Sequence, residues 1–246
     1  MNRILFEKGE IRSGVAVFGG ARAAHVAEVL HGEPGQILKT GEIDGRIGTS
    51  VIESVERTDD GPDAGYRVTV RVSHGEDALP SWCDIILAPP RPRAFKRLLP
   101  QLAAMGAGTV VLTGAKKVEK DFWGATVLKE ENWRPLCIEG LMQAGTSEMP
   151  KIVLRRGFRA FLRDELDAMF PTANRVVAHP YAAPEGAETA PAASGRLLLA
   201  IGPEGGWDDG EVAALREKGF RPYSLGKRIL RTDTAAVALM SKLCNE

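Results

Sequence analysis

Leu197-Leu-Leu-Ala-Ile-Gly-Pro-Glu-Gly-Gly-Trp207 and, about twenty residues on, Ser224-Leu-Gly-Lys-Arg-Ile-Leu-Arg-Thr-Asp-Thr-Ala-Ala236 are the two stretches that decide the fold. Residues 197–201 form an unbroken apolar run, the pattern of a parallel strand covered on both faces. The run ends in a glycine-rich turn. Gly202, Gly205 and Gly206 lack a Cβ and tolerate φ > 0, so a ligand can lie directly against the backbone, and Pro203 stiffens the turn. The second stretch holds another loop, residues 226–232, again between a strand and a helix. Loops at the carboxyl ends of strands are where open α/β sheets bind small ligands.

Spacing excludes the commoner glycine-loop chemistries. A phosphate-binding Walker loop needs Lys then Ser or Thr after its last glycine, and Trp207-Asp208 stands there instead. No G-x-G-x-x-G opens a helix anywhere in the chain. Glu204 in the turn and Asp208-Asp209 at the helix start would repel an anion, whereas a cationic sulfonium ligand tolerates them.

Outward from the turn, residues 82 onward alternate strands with helices, which predicts a parallel sheet. The strands are read at 84–87, 108–112, 151–154, 175–178, 197–201 and 221–225. Helices are expected at 158–169, at 208–218 and, at the end, at 234–244. Asp208 and Glu211 have the spacing of a capping box, and Gly219 follows the end of that helix. Residues 182–195, rich in Pro, Ala and Gly, read as a mobile surface loop. Residues 1–73 read as mostly β, with alternating strands at 37–38, 46–55 and 66–72, a charged loop at 57–65 and one short helix at 21–30.

The 246 residues are 44% apolar and carry no net charge, ample for a buried core and unusual for a nucleic-acid partner. Local basic clusters remain: Arg91, Arg93, Lys96 and Arg97; Arg155, Arg156, Arg159 and Arg163; Lys227, Arg228 and Arg231. Each reads first as a solvated face, but the third lies inside the second loop. No apolar stretch reaches 18 residues, and the first residues meet charge too soon for a signal peptide, so a cytoplasmic protein with no membrane association is expected. Cys83, Cys137 and Cys244 are odd in number and widely spaced, which reads as reduced packing residues and predicts no metal site.

Residues 201–206 together with 224–236 closely resemble the SPOUT superfamily of methyltransferases, and within it the family that methylates N3 of a uridine in small-subunit (16S) ribosomal RNA. The resemblance implies an α/β fold: a C-terminal SPOUT domain with a parallel sheet and a deep trefoil knot, plus a small N-terminal PUA-like β-barrel. It implies domains at 1–73, an RNA-binding barrel suggested by residues 25–35, and 74–246, the methyltransferase. His31 stands where the family usually has a basic residue. The cofactor implied is S-adenosylmethionine. The partners implied are small-subunit ribosomal RNA, in an assembled or assembling subunit, and a second copy of the chain. The resemblance also puts the C-terminal helix near that homodimer interface; Ala235, Ala236, Val237, Leu239, Met240 and Leu243 make it more apolar than a solvent-facing helix should be, a pattern that burial within the protomer gives equally well.

On this resemblance the donor would lie against Leu199, Ile201, Gly202, Pro203, Glu204, Gly205, Gly206, Leu225, Gly226, Ile229, Leu230 and Thr234. Arg231 would stabilise an anionic uracil, Arg228 hold a phosphate, and Asp233 orient Arg231 or accept the proton. Gly205→Val is expected to abolish donor binding. The middle of the chain departs from the family. Gln101, Ala104, Met105 and Gly106 replace a Lys/Glu and Leu-Gly pattern, Pro100 is expected to kink its helix, and Thr146 and Glu148 stand between Gln143 and Pro150 where basic residues are usual. An enzyme acting on another RNA, such as transfer RNA, and a non-catalytic RNA-binding knot protein share these motifs. The intact glycine turn and Arg231 argue against the second.

Overall fold

The computed structural model describes residues 3–58, 65–180 and 196–244. The loop expected at 182–195 lies outside the described residues, as do residues 59–64 of the charged loop. By contacts the chain divides into two compact units, Met1–Pro80 with Leu141–Met149, and Ser81–Gly140 with Pro150–Glu246.

The first unit opens with β1 (Ile4–Phe6), β2 (Ile11–Arg12) and β3 (Val15–Phe18). Next come α1 (Gly20–Ala24), β4 (Ile37–Glu42), β5 (Ile47–Thr58) and β6 (Gly65–Glu76). The sheet order is β1-β4-β5-β6-β3-β2, antiparallel throughout except for the parallel pair β1 and β4. Phe6, Phe18, Val26, Ile52, Val68 and Val70 close its core. The single helix expected at 21–30 is instead α1 followed by a π-helical turn, His25–Val29. The turn is closed by the Leu30 N–H donating to the His25 carbonyl. Arg3 ties this unit together: its guanidinium donates to the carbonyls of Thr40, Gly48 and Gly145 at 2.6, 2.9 and 2.9 Å. Asp44 holds the same 141–149 segment, its N–H donating to Ser147 O and its carboxylate accepting from Met149 N. Thr146, standing where the resembled family usually has a basic residue, is buried and donates to Leu79 O at 3.4 Å, so this position packs the unit and presents nothing outward.

The second unit contains β7 (Cys83–Leu87), α2 (Pro92–Ala104), β8 (Ala107–Thr113), α3 (Glu130–Ala144, whose last turn belongs to the first unit) and β9 (Lys151–Arg155). The chain continues through α4 (Phe158–Asp164), α5 (Leu166–Met169), β10 (Asn174–Ala178), β11 (Leu197–Ile201), α6 (Asp209–Glu217), β12 (Arg221–Tyr223) and α7 (Thr232–Leu243). Its six strands are all parallel, in the order β12-β10-β11-β7-β8-β9. The chain runs outward from β7 to β9 and returns on the other side, so the direction of winding reverses between β7 and β11. Such a reversal leaves a crevice outside the strands' carboxyl ends. Every residue of β7 and β11 is buried, which is why both read as unbroken apolar runs apart from Asp84. Asp84 is satisfied by an ion pair with Arg196 and by the Thr109 N–H at 2.7 Å. Cys83 and Cys137 are buried, and burial pushes both thiols up, Cys137 to about 12, as expected of packing residues.

Two local expectations need correction. The helix expected at 158–169 breaks at Glu165 (φ −122°), whose carboxylate is drawn to Arg155 at 2.6 Å. Helix α2 keeps Pro100 inside it and stays continuous to Ala104, the proline supplying no N–H to the preceding turn. Gly140 of α3 packs there: a Cβ on it would lie 2.0 Å from the Pro100 carbonyl oxygen. Finally, α7 starts two residues early, with Arg231 as its N-cap. Ala236, Leu239, Met240 and Leu243 are buried within the protomer, which accounts for much of that helix's apolar surface.

Candidate functional site

Strand β11 delivers Ile201 to the glycine turn, which the Gly206 N–H closes by donating to Pro203 O at 2.8 Å. Of its three glycines only Gly206 enters the left-handed region, at φ 68°. Gly202 is favoured for a different reason: a Cβ there would crowd the backbone, 3.0 Å from Trp207 N and 3.2 Å from Gly206 Cα. At Gly205 a Cβ would meet the Lys117 side chain at 2.8 Å, and that flexible chain donates from Nζ to Gly205 O at 2.8 Å. The expectation of φ > 0 at Gly205 therefore does not hold. Trp207 is buried and stacks on Phe158, with centroids 5.2 Å apart. After it, Asp208 and Glu211 form the capping box of α6, each carboxylate accepting the other's backbone N–H at 2.8 Å. That Glu211 N–H, with Lys116 beside it, holds the Asp208 carboxyl below the usual range. Glu204 accepts from the Arg91 N–H at 2.9 Å, at the start of α2.

The second loop leaves β12 at Ser224, whose hydroxyl accepts from Gly226 N at 3.1 Å. Gly226 takes φ 116°, a conformation costly for any side chain. Leu225, Ile229 and Leu230 stand 38%, 68% and 39% exposed. Thr232, at the start of α7, donates to Gly202 O at 3.3 Å and so ties the two loops together.

Between the loops lies a cleft of about 220 Å³. Each of residues 201–206 borders it, as do Leu225, Gly226, Arg228, Ile229 and Leu230. Leu199 is fully buried inside β11 and Thr234 is exposed on α7; neither borders the cleft. Thr232, Ala235 and Leu239 supply the α7 wall instead. A third loop, at the carboxyl end of β10, brings Ala178, His179 and Pro180. The strand at 175–178 was legible, so a third wall could have been anticipated from it. Burial, with Arg216 nearby, lowers the affinity of His179 for a proton.

Arg231 and Asp233 lie outside the lining. Arg231 is 70% exposed, with its Nε 3.7 Å from Asp233 Oδ1. Asp233 is held more closely by Arg97 of α2, at 2.9 Å. Arg97 holds this carboxyl below the usual range, helped by the Thr234 N–H and Arg231. Sequence reading placed Arg97 in a basic cluster and gave no hint of a partner 136 residues away.

Residues 77–244 match the family described as RNA methyltransferase domain. A ribosomal RNA small subunit methyltransferase E of Treponema pallidum is 28% identical over 242 residues, spanning 97% of this chain and 88% of its own. A protein of the same name from Mycobacterium bovis is 26% identical over 227 residues, covering 92% and 84%. The fold matches a ribosomal RNA small subunit methyltransferase E from Neisseria gonorrhoeae, crystallised bound to S-adenosyl methionine, with a TM-score of 0.74 at 20% identity, over 99% and 96% of the two chains. With the match covering more than half of its length, this chain belongs to the RNA methyltransferase domain family.

Proposed function

We propose that this chain transfers a methyl group from S-adenosylmethionine to N3 of a uridine in small-subunit ribosomal RNA. The observation that carries this reading is the cleft at the carboxyl ends of β10, β11 and β12, one wall bare backbone and the other exposed apolar side chains. Its residues fit an adenosyl donor. Gly202, Gly205, Gly206 and Gly226 leave the backbone open to polar edges, Ile229 and Leu230 offer apolar surface, and Glu204 tolerates a sulfonium. When bound, the donor supplies the electrophilic methyl carbon.

The chain's own residues have the remaining work. Arg231, exposed beside the cleft, stabilises charge on a uracil as its N3 proton passes to solvent water. Arg228, on the cleft wall, holds a phosphate. Asp233 is a poor proton acceptor because Arg97 lowers the affinity of its carboxylate for a proton, so its part is to hold Arg231 in place. N3 lies on the Watson–Crick edge, so the target base must be unpaired when it enters. The reading carries with it a knotted path for the C-terminal loops, an RNA-binding role for residues 1–73, a methyltransferase role for 74–246 and a cytoplasmic homodimer that needs no metal ion. Light scattering at micromolar concentration tests the dimer. Donor titration in the presence of a chelator tests the independence from metal.

The deciding experiment is mass spectrometry of nucleosides from small-subunit ribosomal RNA of a strain lacking this chain. 3-Methyluridine should vanish and return on complementation with the wild type. A methyl mark lost from transfer RNA instead would overturn the substrate.

A further inference from the structure

A second groove, of about 630 Å³, opens at the same carboxyl end of the parallel sheet, beyond β8 and β9. Lys116, Lys120, Arg156 and Arg159 line it, all exposed, with Trp123 among them. Trp123 sits on a 3-10 turn, Lys120–Gly124, and packs edge-on against buried Phe122 with centroids 5.7 Å apart. The Arg156 guanidinium carbon lies 5.4 Å over the Trp123 ring, and its Nη2 donates to Trp123 O at 3.2 Å. A planar cation is thus held on a partly exposed indole. The two carboxylates of the groove are already committed. Asp208 caps α6 and pairs with Lys116 at 3.3 Å, while Glu211 accepts from the backbone of Lys116 and Asp208. The groove therefore presents positive charge beside a flat stacking surface. It also adjoins the cleft: Lys117, on the loop that supplies Lys116 and Lys120, is bonded to Gly205.

We propose that this groove binds one nucleotide of the RNA strand flanking the methylated base. The base stacks on the Arg156–Trp123 pair, and the adjoining phosphate is met by Lys120 and Arg159. RNA bases outside a duplex are gripped by stacking on aromatic rings and guanidinium planes, next to cations that follow the backbone. An acidic peptide would use the charges and leave the stacking surface idle. The inference rests on the reading of this chain as acting on ribosomal RNA.

The test is the affinity of the full chain for a labelled single-stranded dodecauridylate, measured by fluorescence anisotropy, alongside methyl transfer to small-subunit ribosomal RNA. Trp123→Ala is expected to weaken dodecauridylate about tenfold, the scale of one lost base stack, while Trp123→Phe retains most of the affinity. Lys120→Ala is expected to cost less and to lower the salt slope by about 0.7, as for one lost phosphate contact on a single strand. Donor affinity, read by calorimetry, should stay at the wild-type value in each. Should Trp123→Ala lose donor binding through misfolding, Arg156→Gln and Trp123→Phe decide the matter. Wild-type affinity for dodecauridylate in both Trp123→Ala and Arg156→Gln overturns the groove. So does displacement of the RNA by oligoglutamate with equal potency in wild type and Trp123→Ala, which would mark a protein-facing polyanion patch. If the wild type methylates no ribosomal RNA yet its dodecauridylate binding still depends on Trp123, the functional reading falls and the groove stands.

Discussion

The two walls of the cleft are built on different principles. The 201–206 turn hangs from a strand whose five residues are all buried, and it is closed by its own hydrogen bond. It is held further by Lys117 on Gly205 O and by Glu204 on the backbone of α2. The 224–230 loop leaves Ile229 68% exposed and Leu225 and Leu230 38% and 39% exposed, with no buried strand residue among them. One wall is finished before a ligand arrives, while the other keeps apolar surface for a ligand or partner to cover. Substitutions in the first wall should therefore act through fit, and in the second through the surface that binding removes from water.

The largest expected effect lies just past the second loop. Arg231→Ala should lower turnover by roughly a hundredfold, the scale of one lost preorganised electrostatic donor, with donor affinity nearly unchanged. Arg231→Lys should rescue little, because a point charge does not reproduce a planar fork. Steady-state kinetics with calorimetry separates the two quantities. A tenfold weaker donor with turnover spared would make Arg231 part of the cleft wall.

Next comes a pair that compares the walls directly. Gly226→Val forces a β-branched residue to φ 116° and should weaken the donor tenfold or more, whereas Gly205→Val has only to displace the flexible Lys117 chain and should cost less. The reverse order, measured by calorimetry, would break the comparison. Ile229→Ala should weaken the donor by about threefold to tenfold and leave the melting temperature alone, since its side chain is 68% exposed before binding. A lowered melting temperature would show that this wall is already packed.

The smallest effect concerns pH. The folded state holds the Asp233 carboxyl below its ordinary value, so its contribution to stability is present above about pH 4 and is lost as pH falls through the folded value. Asp233→Asn should flatten the acid limb of an unfolding curve below pH 4 and introduce no new slope between pH 6 and 9. A change confined to neutral pH would restore Asp233 as a proton acceptor.

The second unit was legible because its strands are buried on both faces and its punctuation is local. The unbroken apolar run at 197–201 read as a covered strand, 84–87 as a strand in the same alternating series, and Asp208 and Glu211 announce a capping box by spacing alone. Strands of two to four residues, such as β1 to β3, are too short to show alternation. Arg231 went unread as the start of α7 because its side chain makes no cap. Most cleft residues followed from the two loops, but the Arg97–Asp233 pair and the Thr232–Gly202 tie join positions far apart in sequence, where no periodicity carries a signal.

Arg3 and Asp44 both reach their partners in the nine residues 141–149. A linear truncation at Pro80 would therefore leave the first unit short of a strap that arrives 60 residues later, with the buried residue Arg3 missing one of its guanidinium's carbonyl acceptors. Cutting before residue 81 would in turn strand Leu141 and Met142, both buried in the full chain, on the last turn of α3. Anyone wishing to study the N-terminal sheet alone has to graft that segment back, because the compact unit is not a contiguous piece of the gene.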